Sequence, residues 1–351
     1  MERRTFLTSV GVGATAGMAG CLVDNGDGDD EADVTVGIVY STGGLGDESF
    51  NDMAYSGIED AESDFDIDYQ DAEPDTVADM NDMQRQFAGD EDIDLVCCIG
   101  FDHETDLIEN ADEFDDQRFV IIDAVVDADN VDSYVFREHE GSFQVGHLAG
   151  LLTETEYAHA GGETNPDDSI VGFVGGEETS LIERFEAGYI AGAEYVDDSI
   201  ETPSAYAGSW DDPSTGQEIA NGMYEDGADV VYHSAGGTGG GVFESAQSYE
   251  RFAIGVDDDQ SLSAEESSDV IVASMIKRVD NAVYDSIESV VEDEFEGGDT
   301  NDLGLEEDGV DAVIGQDFED DLPDDIVNAL EDSRQQIIDG DIDVPDNLDD
   351  L

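Results

Sequence analysis

AIGVDDDQ at residues 253–260 and IVASMIKRVD at 271–280 are two short apolar runs that end beside Asp257 and Lys277. Lys277 is the sole lysine in a chain of 351 residues that carries 93 acidic and 10 basic side chains. Continuous apolar runs of this length read as strands buried on both faces, because a half-exposed strand would alternate. After the second run Val279, Val283, Ile287, Val290, Val291 and Phe295 recur at helical spacing. Strand followed by helix is the unit of a parallel sheet, so this stretch predicts an α/β fold.

The pattern extends outward in both directions. Strands are predicted at 34–40 (VTVGIVY), 94–99 (DLVCCI), 119–122 (FVII), 170–174 (IVGFV) and 229–234 (DVVYHS), besides 253–256 and 270–274. Between them Val77, Met80, Gln84 and Phe87 share one helix face. Cys97 and Cys98 are neighbours on a strand and must point to opposite faces, which makes them small buried hydrophobes rather than a disulfide or a metal site.

In a parallel α/β sheet ligands gather beyond the carboxyl ends of the strands. There the chain offers STGGLGDESFND (41–52), in which Asp47, Ser49 and Asn51 can cap a helix while presenting Phe50. It also offers Asp123, the glycine-rich AGGTGGGV (235–242) around Gly237, Asp257 and Lys277. The glycine stretch lacks the GK[ST] ending of a phosphate loop, which argues against ATP. Aromatic, carboxylate, amine and bare backbone together suit a small polar ligand with a flat part.

Composition narrows the partners. Apolar residues make up 39% of the chain, enough for a core, while the formal charge is −83. So many carboxylates repel at ordinary ionic strength, and the repulsion fades near ~1 M salt, where the screening length falls to about 3 Å. The composition is that of an extreme halophile, of haloarchaeal type, and a surface so acidic excludes nucleic acid as a partner. The first 21 residues carry Arg3-Arg4, a short run of small and apolar residues, and Met18-Ala19-Gly20-Cys21. Paired arginines before such a run predict twin-arginine export.

The segments GDESFND, FVIIDAVVD, EHEGSFQVGHLAGLL (138–152), VGFVGG (171–176), YAGSWDDP (206–213), AGGTGGGV, AIGVDDDQ and SMIKRVD resemble, in order, the basic membrane protein family of substrate-binding lipoproteins. The resemblance implies a type I periplasmic-binding-protein fold, with two doubly wound parallel-sheet lobes joined by a three-crossover hinge. It implies a lipobox with Cys21 as the lipidated residue, and the following organisation. Residues 1–21 are the signal, 22–33 an acidic tether, 34–130 with 275–305 the first lobe, 131–274 the second, and 306–351 a C-terminal strand, helix and acidic tail. The stretches 299–312 and 340–351 are expected to be loose.

The resemblance further implies a nucleoside ligand, purine favoured, clamped between Phe50 and Trp210, the only tryptophan. Asp123, Asp257 and Lys277 would bond the sugar hydroxyls and base edge, with Asn51 and the backbone at Gly237 assisting. Phe50 and Lys277 are expected on one side of the cleft, Trp210 and Gly237 on the other. Trp210 replaces the usual phenylalanine, and Ser41 stands where many members carry aspartate; both bear on base preference. A monomer is expected, delivering ligand to an ABC permease and its ATPase on the extracytoplasmic face of the membrane. No catalytic residue, cofactor or metal is assigned, and His139, between Glu138 and Glu140, reads as structural. Two alternatives remain: Asp123 and Asp257 as the acid and base of a nucleoside hydrolase-like enzyme, or a ligand sensor without transport.

Overall fold

A computed structural model describes residues 32–351. The signal segment with Cys21 and nearly all of the acidic tether lie outside the described residues. From Val34 the chain runs β1 (Val34–Val39), α1 (Phe50–Asp64), β2 (Ile67–Ala72), α2 (Val77–Ala88), β3 (Leu95–Ile99), α3 (Glu104–Glu113), β4 (Arg118–Ile122) and β5 (Val131–Phe136). It then crosses to α4 (Glu138–Thr153), the hairpin β6 (Ala158–His159) and β7 (Gly162–Glu163), β8 (Val171–Gly175), α5 (Ser180–Val196), β9 (Ser204–Tyr206), α6 (Pro213–Glu225), β10 (Val230–Ser234), α7 (Gly240–Tyr249), β11 (Phe252–Asp257), α8 (Gln260–Ser263) and β12 (Ile271–Lys277). Helix α9 (Val279–Val291) and β13 (Thr300–Leu303) return to the first lobe, and β14 (Val310–Ile314) and α10 (Asp324–Ile338) to the second.

The two six-stranded sheets match strand for strand, β2-β1-β3-β4-β5-β13 and β9-β8-β10-β11-β12-β14. All pairings in the first are parallel, and in the second only β12 with β14 is antiparallel. This is the doubly wound α/β architecture expected. Cys97 and Cys98 fall on opposite faces of β3, in different apolar clusters. One of those clusters runs through both lobes, joining α1 and α9 in the first to α4 and α5 in the second. The lobes therefore share a core at the hinge rather than a mere linker.

Several sequence boundaries move. Strand β5 pairs with β4 in the first sheet, so the first crossover falls at Arg137 and not at residue 131. VDSYVF hides its burial, because Asp132 and Ser133 are buried polar residues, satisfied by Asn301 and by the Val126 N–H. Strand β12 stays in the second sheet through Lys277, paired with Val310, so residues 275–277 belong to the second lobe. The 299–312 stretch is not loose, since it holds β13, the last crossover and the start of β14. Helix α9 stops at Val291, short of Phe295, and Asp293 follows with φ of 59°. Val77 opens α2 and is exposed, while Met80, Gln84 and Phe87 are buried as the spacing predicts.

The crossovers also gather the scarce cations. Arg137 meets Asp302 and Glu307, each at 3.3 Å, and Arg334 reaches from α10 to Asp308 at 3.2 Å and Asp311 at 3.4 Å.

Candidate functional site

Asp123 follows β4 and Asp257 ends β11, the same position in each sheet. Both have left-handed backbones, with φ of 71° and 68°. A residue with a side chain adopts that conformation at a cost of order 1 kcal/mol or more, and aspartate tolerates it better than most. The turn stops each strand abruptly and directs its carboxylate into the space between the lobes. A cavity of about 350 Å³ lies there, within the range of small-molecule sites.

Lys277 is 2% exposed and forms the cavity's floor. Its Nζ lies 2.6 and 2.7 Å from the two oxygens of Asp123 and 3.1 Å from Glu138 Oε1. The other oxygen of Glu138 is 3.0 Å from Arg184 Nη1. Phe50, Phe136 and Phe185 surround the ammonium, with ring centroids 5.3, 5.1 and 5.5 Å away. Burial alone would push the Lys277 pKa down, but the carboxylates of Asp123, Glu138 and Asp257 more than offset it and hold the amine above its usual value. The ammonium is thus fixed as a cation between the lobes.

Asp257 is different. Burial raises its pKa to about 7, opposed by Lys277 and by a hydrogen bond from Ser49 Oγ. Ser49 belongs to the first lobe and Asp257 to the second, so this bond spans the cleft. Gln260 Nε2 spans it too, donating to the Glu48 carbonyl at 2.8 Å.

The 41–52 loop is built on Asp47. Its carboxylate accepts from the N–H groups of Ser49, Asn51 and Asp52 at 3.0, 3.0 and 3.2 Å, and so caps α1. Ser49, the residue at the cap position, leaves that work to Asp47 and bonds Asp257 instead. On the opposite wall Trp210 packs against Gly176, where an added Cβ would come within 2.3 Å of the indole. The Trp210 carbonyl accepts from Thr238 N–H at 3.0 Å, tying the indole loop to the Gly236–Gly239 turn. That turn is helical and leads directly into α7; it is not the flexible loop its glycines suggest.

Phe50, Asn51, Asp123, Trp210, Gly237, Asp257 and Lys277 all line this one cavity. Lys277 comes from the second lobe, not from the side of Phe50, because β12 carries it past the expected boundary. Asn51 is buried and its amide is engaged at both ends, by Asp47 and by Ser41. Its side chain orients neighbours. Sequence reasoning missed Ser49, Asp102, Glu138 and Phe185 as parts of the site or its support. Glu138 had a signal, an acid beside an arginine at a crossover, but the relation to Lys277 is purely tertiary. Among the described residues no group of three or more His, Cys, Asp or Glu is placed to hold a metal ion.

The fold and cleft define a two-lobed binding protein of the type I periplasmic class. The chain belongs to the Bmp family: residues 34–348 match the model described as PnrA-like ABC transporter substrate-binding proteins. It is 34% identical to a CD4+ T-cell-stimulating antigen of Listeria innocua, over 99% of both chains. It is 30% identical to the ABC transporter nucleoside-binding protein BmpA of Lactococcus lactis, over 98% of this chain and 99% of that one. Among solved structures, a solute-binding protein of an ABC transporter system from Aeropyrum pernix superposes with a TM-score of 0.78 at 28% identity, covering 90% of this chain and 95% of the other.

Proposed function

We propose that this protein captures a nucleoside, with a purine base favoured, between its lobes and delivers it to an ABC permease and ATPase. Support comes chiefly from one arrangement, in which an aromatic side chain from each lobe, Phe50 and Trp210, lines a cavity floored by the Asp123–Lys277 pair with Asp257 beside it. Two rings suit a flat base, which stacks on aromatic faces. Carboxylates suit vicinal hydroxyls, since each can accept two O–H donors. The cross-lobe bonds from Ser49 and Gln260 would close the cleft over the ligand and exclude water, strengthening each polar contact.

The protein acts outside the membrane as a monomer, exported by the twin-arginine signal and anchored through lipid on Cys21. It is adapted to high salt and carries out no chemistry on its ligand. The test is calorimetric titration of the mature, lipid-free chain with adenosine, guanosine, inosine, uridine and ribose in about 2 M salt, where charge repulsion is screened. Saturable binding without release of free base, lost on Phe50→Ala or Trp210→Ala, is the expected result. Free base in the mixture would make it a hydrolase, and folded protein that binds no nucleoside would overturn the proposal.

A further inference from the structure

We propose that Gln260 is a positioning residue that latches the second lobe to the main chain of the first, and so sets the affinity for every ligand of the cleft by one common factor without touching any of them. This rests on the reading above that the lobes close over a nucleoside, and it adds which residue governs how firmly they stay closed.

Gln260 opens α8, just past the end of β11, and is 2% exposed. Its amide has one orientation that satisfies its neighbours. Oε1 accepts the Val256 N–H at 2.8 Å, which turns Nε2 outward to donate to the Glu48 carbonyl of the first lobe, also at 2.8 Å. The Gln260 backbone N–H donates to Ser274 Oγ at 3.1 Å, and its carbonyl accepts from the Ala264 N–H at 3.0 Å. Room for the side chain to fold back over the strand end comes from Gly255, where an added Cβ would lie 2.7 Å from both Gln260 Oε1 and Ser274 Oγ. The second lobe alone thus holds the donor in place.

The first lobe prepares the acceptor in the same way. Glu48 has φ of 51°, a left-handed backbone that a residue other than glycine adopts at a cost. Asp52 on α1 holds it there, its Oδ2 accepting the Glu48 N–H at 2.9 Å and its Oδ1 that of Gly46 at 2.8 Å. The Glu48 residue is exposed, and what its turn offers across the cleft is the main-chain carbonyl. Neither Glu48 nor Gln260 lines the ligand cavity, whereas Asp257, which takes the other cross-lobe bond from Ser49, does. A bond between two groups that never meet the ligand, and that forms when the lobes close, stabilises the closed state equally whatever is bound.

The experiment titrates adenosine, guanosine and inosine calorimetrically into the parent chain, Gln260→Ala, Gln260→Glu and Glu48→Gly in about 2 M salt at about pH 8, where carboxylates are ionised. Dissociation rates are read by stopped-flow fluorescence of Trp210, the only tryptophan. Gln260→Ala should weaken all three nucleosides alike, by about three- to tenfold, the size of one hydrogen bond, and the loss should appear as faster dissociation. Gln260→Glu keeps the shape and the acceptor for Val256 but sets an acceptor against the Glu48 carbonyl, so it should weaken them by about tenfold or more, again alike. A packing role would make it the milder of the two. Glu48→Gly keeps the carbonyl and relieves the left-handed backbone, and should bind within about twofold of the parent. Losses that differ by more than about threefold among the nucleosides, or a Gln260→Glu affinity within about twofold of the parent, overturn the latch while leaving nucleoside capture standing. A Glu48→Gly loss as large as that of Gln260→Glu does the same, since the carboxylate and not the carbonyl would then be at work. Failure of every nucleoside to bind the folded parent overturns both.

Discussion

Lys277→Met removes the ammonium and keeps most of the side chain's volume. Asp123 and Glu138, 4% and 0% exposed, then lose the cation between them. Breaking a buried pair from one side costs about 3–5 kcal/mol, because the remaining charge stays desolvated. Arg184 still lies 3.0 Å from Glu138, so most of the loss falls on Asp123, and about 4 kcal/mol is expected. Unfolding entropy near 2.1 cal/mol/K per residue over roughly 320 residues gives about 0.7 kcal/mol/K, so the melting temperature should fall by roughly 6 °C. The assay is thermal unfolding followed by circular dichroism at pH 7 in about 3 M KCl, where surface pairs are screened and a buried one is not. Asp123 can escape its isolation by taking up a proton, so the loss should be smaller at pH 5 than at pH 8. Adding Asp123→Asn to Lys277→Met should recover half or more of the loss. A single variant that melts within about 1 °C of the parent, or a double variant that melts lower still, would refute the assignment of Lys277 as a buried counter-ion.

Further outcomes follow from the same geometry. With Asp257 at about 7 in the free protein, a ligand whose hydroxyls donate to its carboxylate must displace a proton at lower pH. The association constant should rise roughly tenfold per pH unit up to about 7 and level off above, and Asp257→Asn should flatten the profile in titrations from pH 5 to 9. Unliganded stability runs the other way: Asp257 is raised above its ordinary 3.8, the folded state binds more protons in that window, and stability falls as pH climbs from about 4 to about 7. Gly176→Ala places a methyl group within 2.3 Å of the Trp210 ring and must move it, so nucleoside affinity should drop about tenfold or more; unchanged binding would show that the indole is not a platform. Finally, melting temperature should climb steeply with KCl between about 0.2 and 2 M as carboxylate repulsion is screened, and a flat profile would argue against that account of the composition.

The interior was readable from sequence because parallel strands buried on both faces announce themselves as apolar runs, and β1, β3, β4, β8, β10, β11 and β12 are of that kind. The four edge strands, β2, β9, β13 and β14, together with β5, carry Asp, Ser, Asn or Tyr and look like loops in a chain so rich in acid. The strand-end rule then found Asp123, Asp257 and Lys277, since chemistry at such ends is positioned by topology rather than by local pattern. It could not find Glu138 or Asp102. One of 93 acids becomes distinctive only through what the fold sets against it. Ser49 was misread for a related reason: the local sequence makes it a cap, and only the opposite lobe reveals where its hydroxyl goes.

The strand-for-strand match of the lobes has a consequence for how a ligand lies. Phe136 and Lys277 are corresponding residues, each the last of its strand, each followed by an arginine and then a helix. They meet, with the ammonium 5.1 Å from the phenyl centroid. Equivalent strand ends thus carry two unlike side chains, while Asp123 and Asp257 are near-equivalents. Two equivalent strand-end carboxylates, taken by themselves, would receive an unsymmetrical molecule equally well end for end. The Phe136–Lys277 pair removes that degeneracy, and the sole lysine of the chain is what would give the cleft a head and a tail.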